Sequence, residues 1–180
     1  MDSVRIEKAE VRKLVKELKK NYSFEQKKEM SKPIWEELES MDWFKNSKVV
    51  LMYWSMKDEV QTHDFVIKWY KDKTILLPCV EGDILKLRQF EGIESIKEGV
   101  AFSIMEPIGK EFENHEMIDL MIIPALAFDK ENNRLGRGKG FYDKLLTGSK
   151  AIKTGVCFPF QFFDRIPTEA FDVKMDYVIK

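Results

Sequence analysis

The chain has 180 residues, of which 44% are hydrophobic and 34% charged, with a net charge of −1. That is the profile of one soluble globular domain, 1–180, whose core is large enough to need neither disulfides nor metal to hold it. The even charge balance excludes a global basic field for nucleic acid, and no apolar run approaches the ~20 residues that span a bilayer.

The N-terminus is charged from Asp2 onward and lacks the apolar stretch of a signal peptide, so the expected compartment is the cytoplasm, with no membrane partner. Cys79 and Cys157 each lie in an apolar, strand-like context and read as small buried hydrophobes. No C-x-x-C or His-rich cluster exists, so a structural metal site is not expected.

Glu7–Asn21 reads as an amphipathic helix, with Val11, Leu14, Val15 and Leu18 at i, i+3, i+4 and i+7. Ser23 and Gln26 make a capping box for a second helix, along which Met30, Ile34, Leu38 and Met41 continue a stripe and Pro33 predicts a kink or break. Lys48–Trp54 predicts a buried strand, and a polar stretch, Ser55–Thr62, follows it. Asp64–Lys71 predicts a helix, Thr74–Val80 a strand ending at Pro78, and Leu85–Phe90 a further strand after the Gly82-Asp83 turn. Gly92–Glu106 has weak periodicity and reads as loop.

Asp119–Phe128 is the most strongly apolar strand, and Asp129–Asn133 a polar turn. Thr154–Phe158 is another strand, and Val173–Ile179 alternates as a last one. Strands alternating with helices imply an α/β fold: a three-layer sandwich, with a largely parallel central sheet and helices on both faces.

The densest chemistry lies in Arg134-Leu135-Gly136-Arg137-Gly138-Lys139-Gly140-Phe141-Tyr142-Asp143, between the apolar run and a helix-like segment, Phe141–Leu146. Glycines at every second position allow positive φ and close backbone approach. The following helix would direct free N–H groups into the loop. Arg137 and Lys139 would add positive charge for a bound anion, and Asp143 could hold Mg²⁺ against phosphate oxygens. The loop is neither a Walker A sequence nor G-x-G-x-x-G. The plain alternative is a flexible surface turn.

Lys8 and Arg12, at i and i+4 on the first helix, either clamp phosphate across a cleft from this loop or form an ordinary solvated face. Glu59, just beyond a strand, could bind a pterin or base edge or transfer a proton, or could decorate the surface. Trp54 and Met56 could stack on a flat ring, or sit in the core. His63 and His115 have no partner at ligand or triad spacing. Asp119 reads as a cap or edge residue. Asp172 and Asp176 are candidates for a carboxylate near the end of the sheet, with a structural role as the plain reading.

Taken together, Pro124-Ala125-Leu126-Ala127-Phe128-Asp129 and Asn133–Asp143 resemble the signature of the 5-formyltetrahydrofolate cyclo-ligase (methenyltetrahydrofolate synthetase) family. Lys8-Ala9-Glu10-Val11-Arg12 is similar to the family's K-x-x-x-R helix, Glu59 and Thr62 to its E-x-x-T, and Lys174-Met175-Asp176 to its K-x-D. Pro78 and Glu106-Pro107 match in order and spacing, so the likeness runs through nearly the whole chain. Phe141 departs from the tyrosine of many members.

The resemblance implies a three-layer α/β enzyme that uses ATP and Mg²⁺ to close 5-formyltetrahydrofolate to 5,10-methenyltetrahydrofolate, through a phosphorylated formyl group. It implies ATP contacts from Lys8, Arg12, Arg134, Gly136, Arg137, Gly138, Lys139, Gly140, Phe141 and Tyr142. Folate contacts would come from Trp54, Glu59 and Lys139 to Tyr142, catalytic roles from Arg137, Lys139 and Tyr142, and metal ligation from Asp143 and Asp176. The protein is expected to act as a monomer. A sugar-phosphate isomerase is disfavoured because no Asp/Glu base pair stands beside a second phosphate loop, and an RNA-binding module because the chain has no basic stripe.

Overall fold

The computed structural model describes residues 2–99 and 105–180. In chain order the elements are α1 (Asp2–Lys20), α2 (Phe24–Ser40), α3 (Asp42–Asn46), β1 (Val49–Leu51), α4 (His63–Trp69), β2 (Thr74–Glu81), β3 (Ile84–Gln89), β4 (Ile96–Glu98) and β5 (Met105–Pro107). Then come β6 (Leu120–Pro124), β7 (Ala127–Asp129), β8 (Arg134–Leu135), α5 (Phe141–Leu146), β9 (Ile152–Val156), β10 (Phe162–Phe163) and β11 (Tyr177–Ile179). The central sheet runs β11-β9-β6-β1-β2-β3. All its pairs are parallel except the hairpin of β2 and β3.

Alternate residues of each central strand feed opposite layers. Val50, Met52, Ile75, Leu77, Leu120 and Ile122 pack against Ile34, Leu38, Phe65 and Val66 of α2 and α4. Val49, Leu51, Leu76, Met121 and Ile123 pack on the other side, against Leu146 of α5 and Phe128 of β7. This is the three-layer arrangement expected. Its second face is shared by the one short helix and the small sheet β10-β7-β8.

Several local expectations are corrected. The capping box of α2 forms as the spacing predicts, but Pro33 neither breaks nor ends the helix. The roughly 3 kcal/mol that an interior proline costs is outweighed by burial of Ile34, Trp35 and Leu38, each contributing about 1.5–3 kcal/mol. β2 runs on through Pro78, which pairs with Leu87. β1 pairs with β2 only as far as Leu76, and Val80 turns its N–H away from β3, to Glu106 Oε1. Pro78, two residues earlier, therefore lacks an N–H where no strand needs one.

In α1, Leu14 is exposed and the buried positions are Lys8, Val15 and Lys19. The stretch expected to be loop at 92–106 contains β4 and the start of β5, and its residues 100–104 lie outside those described. The Val173–Ile179 alternation is strand only over its last three residues.

The largest correction concerns the apolar run at 119–128, which is two strands. β6 belongs to the central sheet, while β7 turns away after Ala125-Leu126 into the small sheet and pairs with β8. The glycine loop therefore follows a hairpin laid across the central sheet. Gly155 of β9 makes room for that hairpin, since a Cβ there would stand 2.4 Å from the Phe128 ring.

The two edges of the sheet carry different residues. At the N-terminal edge, Asp119 Oδ2 accepts from the N–H groups of Lys48 and Val49, at 2.8 and 2.9 Å. Asp176 Oδ2 accepts from the Lys153 N–H at 2.7 Å. At the C-terminal edge the chain order reverses, since β1 leads to β2 on one side and β6 lies on the other. Ligands in open α/β sheets collect at such a reversal.

Candidate active site

The loop leaving β1 is braced from within. Thr62 Oγ1 accepts from the Ser55 N–H and donates to the Tyr53 carbonyl, and Ser55 Oγ accepts from the Thr62 N–H. These bonds hold residues 55–62 as a fixed shelf, with Thr62 as a strut. Glu59 sits on it with its side chain 11% exposed, and Oε2 accepts from the Met56 N–H. Trp54 lies at the root of the shelf, stacked on His63 at 4.0 Å and 14°. His63 Nε2 lies 3.0 Å from the Ser55 carbonyl. Burial keeps its pKa below the usual histidine value, against the pull of that carbonyl, so the neutral ring donates from Nε2 and backs the Trp54 indole.

The glycine loop meets this shelf. Gly138 and Gly140 have φ of 99° and 69°, conformations that side chains resist, and Gly140 is the left-handed residue that starts α5. Gly136 serves by its size, because a Cβ there would lie 2.8 Å from Arg134 Nη1. Arg12 of α1 donates from Nε to the Gly136 carbonyl at 2.9 Å and packs along Gly138. Arg137 reaches across to the shelf, with Nη2 3.1 Å from Glu59 Oε1 and 3.3 Å from Asp58 Oδ1. Lys139 is exposed, with no hydrogen bond or ion pair among the described residues.

Beneath the loop, Arg134 is 5% exposed. Its Nη2 holds Asp143 Oδ1 at 2.8 Å, its guanidinium lies 5.7 Å from the centre of the Tyr142 ring, and its Nε is buried without a partner. Tyr142 has its phenol pKa raised, chiefly by burial and then by Glu59, with Arg134 opposing. Tyr142 is therefore a neutral hydrogen-bond donor here. Phe141 opens α5 and is partly exposed.

The structure thus gathers Arg12, Arg134, Arg137, Tyr142, Asp143 and Glu59 around one loop. It does not bring Lys8 into contact with that loop. Lys8 is buried against two carboxylates, Glu169 at 2.8 Å and Asp172 at 2.6 Å. Asp176 is also elsewhere, spent on the start of β9. The segment brought to Asp143 is the one after Asp172: the Val173 N–H approaches Asp143 Oδ1 at 3.5 Å, while Asp172 Oδ2 accepts from Lys8 and from the Glu169 N–H. Among the described residues no group of three or more potential metal-ligating side chains is preassembled.

Two residues escaped sequence reasoning. Lys19 is 4% exposed and pairs with Asp58 Oδ2 at 3.0 Å. Burial lowers the Lys19 pKa more than Asp58 restores it. Burial works against the Asp58 carboxylate, yet Lys19 and Arg137 together hold it below its usual range. The signal was present, since Lys8, Arg12, Val15 and Lys19 fall on one helical stripe.

A reversal point in a mostly parallel sheet, faced by a cation-lined glycine loop, is the place where α/β proteins gather their ligands, and puts the chain in the class of α/β enzymes with a strand-end site. The chain belongs to the 5-formyltetrahydrofolate cyclo-ligase family, whose model matches residues 4–180. It is 30% identical to the mouse 5-formyltetrahydrofolate cyclo-ligase over 152 residues, covering 76% of this chain and 74% of the mouse protein.

Among solved structures it is similar to the 5,10-methenyltetrahydrofolate synthetase of Aquifex aeolicus, with a TM-score of 0.85 and 38% identity over 96% of this chain and 88% of the other. It is also similar to that of Mycoplasma pneumoniae, with a TM-score of 0.76 and 25% identity over 96% and 97% of the two chains. No described helix is long and apolar enough to cross a membrane.

Proposed function

We propose that this protein closes 5-formyltetrahydrofolate to 5,10-methenyltetrahydrofolate with conversion of ATP to ADP and phosphate, the phosphate carrying away the formyl oxygen. One observation carries the reading. Arg137 of the glycine loop lies 3.1 Å from Glu59 on the shelf after β1, so the groups assigned to nucleotide and to folate meet at one point. Phosphoryl transfer asks for positioning and charge neutralisation more than for covalent help. Arg12, Arg134, Arg137 and Lys139 supply that charge around a backbone able to approach closely. The formyl oxygen attacks the terminal phosphorus of ATP and ADP leaves. The N10 amine then adds to the activated formyl carbon and gives up its proton, which the departing phosphate takes as the C–O bond breaks. Tyr142, neutral, donates a hydrogen bond toward the developing negative charge, while Trp54 and Glu59 hold the pterin.

Mg²⁺ fits the residues present. Asp143 Oδ2 and Asp172 Oδ1 have no hydrogen bond among the described residues, and Val173, which follows Asp172, places its N–H 3.5 Å from Asp143 Oδ1. One or two carboxylates plus substrate phosphates is the usual protein share of an Mg²⁺ site. When bound there, Mg²⁺ would offset charge on the transferring phosphate. Asp143 and Asp172 are therefore the proposed ligands, and Asp176 is not. The test is methenyltetrahydrofolate absorbance on mixing the protein with 5-formyltetrahydrofolate, ATP and Mg²⁺. The expected result is growth that stops when ATP is left out. No growth from folded protein with everything present would reject the proposal.

A further inference from the structure

We infer that Asp58 is a positioning residue that makes nucleotide and folate bind cooperatively, through a latch between the glycine loop and the shelf. The inference rests on the reading above, since it takes Arg137 for the nucleotide and Glu59 for the folate. Both oxygens of Glu59 are occupied in this structure, Oε2 by the Met56 N–H and Oε1 by Arg137. Arg137 Nη2 is in turn shared between Glu59 and both oxygens of Asp58, at 3.1, 3.3 and 3.4 Å. Each substrate's contact residue is therefore held by the other's.

Asp58 gives the latch its grip. It makes no folate or nucleotide contact in the proposed site, but it is anchored by Lys19 at 3.0 Å, from a helix that also holds the loop through Arg12. A nucleotide that draws Arg137 toward its phosphates breaks the pair and frees Glu59. A folate that engages Glu59 frees Arg137. Whichever binds first meets the cost of opening, and the second is spared it. That is positive coupling, and by linkage it has the same size in both directions.

Weakening the latch should raise the population of the open state, tightening each ligand alone and shrinking the coupling. A merely structural role for Asp58 would weaken both ligands or neither.

Calorimetric titration with β,γ-methylene-ATP in Mg²⁺ buffer, with and without saturating 5-formyltetrahydrofolate, reads the coupling without turnover. In the wild type the analogue should bind about 5-fold or more tighter when folate is present, the lower end of ordinary coupling. Asp58→Asn should tighten the analogue alone and bring that ratio toward 1. The double variant Lys19→Met with Asp58→Asn removes the buried ammonium along with its partner, and should repeat the result if the single variant does not fold. A wild-type ratio near 1, with both ligands binding, would overturn the latch and leave the proposed function standing. A variant that binds the analogue more weakly, or keeps the wild-type ratio, would also overturn it. Failure of the wild type to bind either ligand would sink the proposed function, and the latch with it.

Discussion

Lys139 and Arg137 stand two positions apart on one loop and differ in everything but charge. Arg137 is tied down by two carboxylates, whereas Lys139 is exposed and free of partners among the described residues. A point charge on a flexible stem, paired with no other described residue, suits recognition of a phosphate. Lys139→Ala should lower kcat/KM about 100-fold or more, the scale of losing one donor to developing charge. Stability should stay within about 0.5 kcal/mol, as for an ordinary surface substitution. Paired kinetics and thermal melts check this, and a large fall in melting temperature with normal kinetics would make the loop's charge structural. Arg137→Ala is a different experiment, because it strands the half-buried Asp58 and Glu59 side by side.

At the scale of elements, two aspartates four residues apart have opposite assignments. Asp176 lies just ahead of β11 and its carboxylate accepts from the Lys153 N–H at the start of β9, as Asp119 accepts from the Lys48 and Val49 N–H groups at the start of β1. Parallel strands begin with N–H groups that no neighbour satisfies, and a carboxylate there completes the ladder. Asp172 lies in the loop that folds back across α5, with Oδ2 on Lys8 and on the Glu169 N–H. Asp176→Ala should cost about 1–3 kcal/mol of stability, the loss of a charged hydrogen bond, and leave the Mg²⁺ concentration for half-maximal rate unchanged. Asp172→Asn should raise that concentration by about 10-fold or more. Titrating Mg²⁺ in the turnover assay separates the two, and a raised requirement in the Asp176 variant would restore it to the metal.

On the scale of the molecule, the site is assembled from α1, the shelf after β1, the loop ahead of α5 and the loop ahead of β11. Lys8 links the first and last of these, across sequence separations of 161 and 164 residues. Its ammonium is buried between two carboxylates that keep some contact with water. Lys8→Ala would leave those carboxylates facing each other without a counter-charge. The expected loss of stability is about 3 kcal/mol, the lower end for breaking a buried pair, with a larger effect on unfolding than any single change in the glycine loop. Urea denaturation reads it directly, and a loss under about 1 kcal/mol would mean that the link is screened like a surface pair.

Periodicity and punctuation alone determined most of the elements, the α/β class, the cap of α2 and the convergence of small and cationic residues ahead of α5. These depend on neighbours a few positions away, so they are written along the chain. Tertiary structure decided the break of the 119–128 run into β6 and β7. The apolar composition is continuous there, and only the bend at Ala125-Leu126 sends Phe128 over Gly155. Tertiary structure also decided which charges meet. With 30 cationic and 31 acidic residues, any Lys or Asp has many possible partners, and composition is silent on the choice. The fold buries Lys8 beside Asp172 and Lys19 beside the half-exposed Asp58, because an ion removed from water is tolerated only where an opposite charge is held beside it.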